Sequence, residues 1–275
     1  MLNYKDYISD KDRDLSIVCH RTLWGKYPEN SISGIKNAID KNFSIVEIDV
    51  RRNIDGDFFV IHDEDLERTT NLSGRISCTS SNIIKNAFLK KNNGNNNRIT
   101  DEKIPSLLEV LNLFKGNVLF DIDVKNPSDR KALLSFIHDN DFHNYVDVKK
   151  PLKTASEAKK YIKERHESKI INMIVLNITN QSLEEISEVI DITDPQIVEI
   201  NFDDISIFEK VSNFCLKKSA SVWVNTLDDV PNGGFTDKLA LSSPDACWGS
   251  LISKGVSLIQ TDYPETLKDW HKSKI

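Results

Sequence analysis

Two short segments place carboxylates in pairs on single strand faces. In Val46-Glu47-Ile48-Asp49-Val50, one residue separates Glu47 from Asp49. On a strand both therefore point to one side while the apolar residues point to the other. Asp121-Ile122-Asp123-Val124-Lys125 repeats the device with three polar groups on one face. Carboxylates a few ångströms apart repel unless a proton or cation lies between them. With no thiol among them, they suit a hard divalent cation, Mg2+ or Ca2+, over zinc. The pairs alone leave two placements open, a solvated sheet edge or a barrel interior.

Two histidines complete the chemistry. His20-Arg21 directly follows the apolar run Leu15 to Cys19, and His62-Asp63 follows Phe58 to Ile61. Cleaving a phosphodiester requires one group to take a proton from the attacking oxygen and another to give one to the leaving oxygen. Histidine suits both roles near neutral pH. A cation held by the carboxylates could bridge a phosphate oxygen, with Arg21 and Lys125 neutralising the remaining charge. His138, His143, His166 and His271 fall on helices, loops or the tail and read as surface residues.

The elements that must position these groups alternate along the chain. Strand-like runs at Leu15 to Cys19, Ile45 to Val50, Asn117 to Lys125, Tyr145 to Val148, Ile170 to Leu176, Ile197 to Phe202, Ser221 to Asn225 and Val256 to Thr261 are separated by helical patterns. Phe58 to Ile61, after the turn Asp55-Gly56, extends the second strand as a hairpin. Strands alternating with helices imply βαβ units and a parallel sheet. Eight in a chain of 275 residues most simply close into a single TIM-like (β/α)8 barrel, which typically takes about 250 residues, so one domain over 1–275 is expected. Pattern alone leaves an open doubly wound sheet as the alternative. The polar stretch Glu64 to Thr100, ending in an Asn-rich tract at 90–98, reads as an exposed insertion after the second strand, forming a lid or rim.

The chain is 39% hydrophobic and 28% charged, enough to bury a sizeable core. Its 36 Lys and Arg against 42 Asp and Glu give a net charge of −6 with no dense basic cluster, which argues against a nucleic-acid partner. The polar N-terminal segment and the lack of an 18-residue apolar run imply no stable membrane anchor and a cytoplasmic protein. Cys19, Cys78, Cys215 and Cys247 are widely spaced, without metal-binding spacing, and read as reduced thiols. Oligomeric state is not encoded in any pattern here.

In order and spacing, Cys19-His20-Arg21, Pro28-Glu29-Asn30-Ser31, Val46-Glu47-Ile48-Asp49-Val50-Arg51, Asp55-Gly56, Ile61-His62-Asp63 and Leu66-Glu67-Arg68-Thr69-Thr70 resemble the N-terminal signature of glycerophosphodiester phosphodiesterases. Later segments fit as well: Ile104-Pro105-Ser106-Leu107, Asp123-Val124-Lys125, Trp223-Val224-Asn225 and Gly255 through Pro264. The resemblance implies a TIM barrel in which Glu47, Asp49 and Asp123 bind the metal. It further implies that Arg21 and Lys125 hold the phosphate, and that His20 and His62 serve as general acid and base. Trp223 would be an aromatic wall against the glycerol part of a small-molecule phosphodiester, with Asp63 supporting His62. Lys150 and Glu199 could also face the mouth. The implied reaction yields glycerol phosphate and an alcohol. Alternatives are another phosphodiester (a lysophospholipid, a phosphoinositide or a glycerol phosphate polymer) or a silent barrel that binds phosphorylated ligands. Two positions depart from the family pattern: Thr22 stands where Gly is usual, and Asp123 where Glu is usual.

Overall fold

The computed structural model describes residues 1–10, 12–178, 181–230 and 232–274. The chain divides into two compact units, one of Met1–Asn3 and Cys19–Val146, the other of Tyr4–Val18 and Asp147–Ile275. Eleven strands occur among the described residues: β1 Ser16–Cys19, β2 Ile45–Arg52, β3 Phe58–Val60, β4 Phe88–Lys90, β5 Ile99–Lys103, β6 Leu119–Val124, β7 Val146–Val148, β8 Met173–Asn177, β9 Ile197–Asn201, β10 Ser221–Asn225 and β11 Val256–Thr261. All but β3, β4 and β5 belong to a strand-then-helix series that repeats eight times in chain order.

In the first unit β2 and β6 run parallel, Glu47 beside Asp121 and Asp49 beside Asp123. β3 folds back antiparallel on β2, as the Asp-Gly turn requires. Val46, Ile48 and Val50 on one face of β2 are fully buried, and so are Glu47 and Asp49 on the other, at 2% and 1% exposure. A solvated edge would leave the polar face open, so the interior placement holds. Helix Ile32–Asp40 starts where Ser31 caps it, its side chain accepting from the Gly34 N–H.

The insertion is more structured than its composition suggests. It contains a 3-10 turn at Ile76–Cys78, a short helix at Ser81–Ile84 and the β4/β5 hairpin. Leu66, Ile76, Ile84, Ala87 and Leu89 cluster with Phe59, Ile61 and Ile104 in a small core of their own. These apolar residues are too irregularly spaced to show a period in sequence, so burial organises them where periodicity does not.

In the second unit β8, β9, β10 and β11 pair side by side in parallel. Capping boxes at Thr154 and Ser182 start the helices Ala155–Ser168 and Leu183–Thr193. Helix Ile205–Lys217 packs on β10 through a buried stripe of Phe208, Val211 and Cys215. No described helix is long and apolar enough to cross a membrane.

Candidate active site

The parallel register of β2 and β6 brings three carboxylates to one place. Glu47, Asp49 and Asp123 each offer an oxygen lying within 4.8 Å of the others. Lys125, two residues beyond Asp123 on the same face, sets its ammonium 2.8 Å from Asp49 Oδ1 and 2.8 Å from Asp123 Oδ2. Asp49 Oδ1 accepts no aligned hydrogen bond despite its burial. Burial would raise the Asp49 pKa, but Lys125, Arg21, His62 and His20 together hold it well below the usual carboxylate range. Lys125 is raised in turn, its desolvation outweighed by Asp49, Asp123 and Glu47. The donor set consists of carboxylate oxygens, two of them buried, and fits a hard divalent cation.

The loop after β1 wraps this cluster with backbone as well as side chains. The Arg21 N–H donates to Glu47 Oε2 at 2.8 Å, and the Thr22 N–H to the Glu47 carbonyl at 3.0 Å. The Arg21 guanidinium lies 3.3 Å from Asp49 and 3.5 Å from Glu29. Burial opposes its charge, yet Asp49, Glu29 and Glu47 raise its pKa. Asn30 clasps Asp49 twice, donating from Nδ2 to Oδ2 at 2.7 Å and accepting the Asp49 N–H at 3.1 Å. Arg21, Thr22 and Asn30 all have positive φ, at 50°, 75° and 54°. For β-branched Thr22 that conformation is strained, which gives a physical reason for glycine as the usual residue there. The Thr22 side chain fits because Gly34 lacks a Cβ: one built there would stand 2.2 Å from Thr22 Oγ1.

His62 is braced from behind. Its Nδ1 lies 2.7 Å from Asp63 Oδ1, and Arg51 Nε donates to its backbone carbonyl at 2.6 Å. Arg68 forks between two carboxylates, reaching Asp63 at 2.9 Å and Glu29 at 2.7 and 3.0 Å, and also donates to the Asn93 carbonyl at 2.7 Å. Asp63 sits well below the usual range: burial opposes this, and hydrogen bonds from His62 and Arg68 prevail. Sequence reasoning quoted Glu29, Asn30 and Arg68 within motifs but gave none of them a role. Glu29 and Arg68 lie 39 residues apart, and no periodicity links them.

Trp223 lies in the second unit, fully buried on β10, with its Nε1 donating to Asn225 Oδ1 at 2.7 Å. The Lys149 ammonium lies 5.2 Å from its ring centroid and 3.0 Å from Glu199, and donates to Gln260 at 3.1 Å. Asn225 also donates to Glu199 at 3.0 Å. Glu199 is buried as a partner of Lys149, while Lys150 is half-exposed. The structure thus brings Arg21, Glu47, Asp49, Asp123 and Lys125 together, with His20 and His62 acting electrostatically on Asp49, and holds Trp223 within the second unit in a buried network with Lys149, Glu199 and Asn225.

Comparison with known proteins accords with the strand–helix series. The crystal structure of a glycerophosphoryl diester phosphodiesterase from Parabacteroides distasonis superposes with a TM-score of 0.81 at 24% identity, over 99% of this chain and 93% of that one. An Oleispira antarctica phosphodiesterase, solved in complex with the product sn-glycerol-3-phosphate, gives 0.64 at 20% identity over 92% and 95%. At such identities the likeness is one of fold, and that fold is the TIM barrel. In sequence, a glycerophosphodiester phosphodiesterase from Caldanaerobacter subterraneus is 30% identical over 138 residues, 48% of this chain and 56% of that protein. The chain spans about half the length of the curated relatives it matches first. A domain of unknown function is matched by residues 170–271. The remaining match covers residues 20–204, which hold every carboxylate, cation and imidazole of the β2/β6 cluster, and by it the chain belongs to the glycerophosphoryl diester phosphodiesterase family.

Proposed function

We propose that the chain acts as one barrel domain that hydrolyses glycerophosphodiesters to glycerol phosphate and an alcohol, using a divalent metal and two histidines. The observation that carries this reading is the convergence of Glu47, Asp49 and Asp123 within 4.8 Å, flanked by Arg21 and Lys125 and by an imidazole braced on Asp63. Those three carboxylates would hold Mg2+ or Ca2+, which when bound supplies positive charge against the crowded phosphate oxygens.

Arg21 and Lys125 hold the phosphate. A substrate hydroxyl next to the phosphate attacks phosphorus, the alcohol leaves, and the cyclic phosphate is then opened by water. One of His20 and His62 takes the attacking proton and the other gives one to the leaving oxygen, with roles reversed in the second step. Asp63 on Nδ1 keeps the other ring nitrogen of His62 free for that work. Trp223 remains in the proposal as the aromatic contact for the glycerol part of the substrate.

The test is release of glycerol phosphate from glycerophosphocholine, glycerophosphoethanolamine and glycerophosphoglycerol, with and without chelator, by the wild type and by His20→Ala. Turnover that needs both metal and His20 is expected. Absence of turnover on every member with Mg2+ or Ca2+ supplied would sink the reading.

A further inference from the structure

A cavity of about 360 Å³ lies in the first unit at the end of β2, lined among others by Arg51, Arg52, Glu64, Lys125, Asn126 and Asp129. Its volume falls in the range of small-molecule sites. Two of its cations are uncommitted: among the described residues neither Arg51 nor Arg52 forms an ion pair. Arg51 spends only Nε, on the His62 carbonyl, and Arg52 spends Nε on the Gly56 carbonyl. Glu64 is already paired with Arg75 at 3.4 Å, and Lys125 with Asp49 and Asp123. Arg51 and Arg52 therefore line the cavity beside two carboxylates, Asp129 and the Arg75-paired Glu64.

The cavity also touches the catalytic cluster. Lys125 borders both, and Arg51 reaches the backbone of His62. A diester held at the cluster has two ester arms, and the cavity is placed to take one of them. A guanidinium fork matches two oxygens of a phosphate, and a phosphomonoester carries enough oxygens and charge to satisfy two forks, whereas a carboxylate satisfies one.

We propose that this cavity is a subsite for a second phosphate, a phosphomonoester on the leaving alcohol of the substrate, held by Arg51 and Arg52. The proposal rests on the phosphodiesterase reading above and adds a substrate class to it: glycerophosphodiesters whose head group is itself phosphorylated.

The test compares glycerophosphoinositol 4-phosphate with glycerophosphoinositol. The wild type should favour the phosphorylated compound by about tenfold in kcat/KM, through KM, the order expected of one charge-assisted pair at a half-open site. Arg52→Gln should bring that ratio close to one, Arg52→Lys should keep part of it, and Asp129→Asn should enlarge it. Inorganic phosphate should inhibit the phosphorylated compound more strongly than the other; equal inhibition of both would place free phosphate at the diester site and overturn the assignment. Equal kcat/KM for the two compounds in the wild type, or a ratio untouched by Arg52→Gln, overturns it as well. If neither compound turns over, the phosphodiesterase reading fails by itself. Calorimetric binding of the same pair to wild type and Arg52→Gln then decides the subsite, with equal dissociation constants in the wild type ruling it out.

Discussion

Replacing Arg68 with methionine removes the one group that ties Glu29 to Asp63. Glu29 is 3% exposed, and without Arg68 its charged neighbour is Arg21 at 3.5 Å. Leaving a buried carboxylate without its partner costs about 3–5 kcal/mol. The Arg68 side chain is 29% exposed and Arg21 remains, so the expected loss lies lower, at about 2–3 kcal/mol. For a chain of this size that corresponds to a fall in Tm of roughly 4–8 °C, read by circular dichroism. A cycle with Glu29→Gln isolates the pair: the double variant should be less destabilised than the sum of the singles by about 1–2 kcal/mol. The pH dependence follows from Asp63, whose pKa lies below its ordinary 3.8 in the fold. Stability from that depression is fully present above about pH 4 and is lost as pH falls through the folded value. Because Arg68 is part of its cause, the gap in Tm between wild type and Arg68→Met should narrow at pH 3. Strictly additive singles, or a gap that does not change with pH, would refute the coupling.

Four further outcomes follow from the same geometry. Ca2+ or Mg2+ should raise the wild-type Tm, and Glu47→Gln combined with Asp123→Asn should abolish the rise; a rise that survives in the double variant places the ion elsewhere. Asp237 is buried and its pKa is pushed up to about 6, burial outweighing bonds from Thr226, Thr261 and the Asp262 N–H. Its folded form keeps a proton that the unfolded chain loses, so its contribution to stability declines as pH rises from about 4 to 6, and Asp237→Asn should lose ground to the wild type less at pH 7 than at pH 4.5 in thermal melts. Lys149→Met leaves buried Glu199 with Asn225 alone and should cost about 2–4 kcal/mol in urea unfolding, an effect within 0.5 kcal/mol telling against the network. Gly34→Ala drives a methyl against Thr22 Oγ1 and should destabilise by about 2 kcal/mol, with Thr22→Gly restoring most of it; additive effects would show that the two do not meet.

How much of this was legible depended on whether the signal was local. The alternation in β2 put Glu47 and Asp49 on one face, and the β6 repeat did the same for Asp123 and Lys125, because a strand converts spacing directly into direction. Glu29, Asn30 and Arg68 were not legible as a support, since they converge from separate loops through side-chain reach and positive-φ backbone. At β7 a single position mattered: Lys150 was the residue singled out, and Lys149 is the one that meets Glu199 and Trp223. Neighbouring residues take opposite directions, so a one-residue error exchanges a buried partner for a half-exposed one. His271 reads as a surface residue, and in its exposed setting it pairs with Asp14 at 2.6 Å across 257 positions of sequence, a partnership no local pattern shows.

The charge balance of the cluster is an argument for the proposed divalent ion over lysine alone. Glu29, Glu47, Asp49, Asp63 and Asp123 are drawn together around Arg21, Arg68 and Lys125, five carboxylates against three cations. Within this named set the difference is two positive charges, in a site where Glu47 and Asp49 are almost wholly removed from water. Lys125 already bridges two of the carboxylates, so further compensation must come from imidazole protons or from an ion. Protonating both histidines would remove the base that the proposed chemistry needs. One divalent cation on Glu47, Asp49 and Asp123 would supply two charges and leave His20 and His62 free for the proton transfers proposed for them.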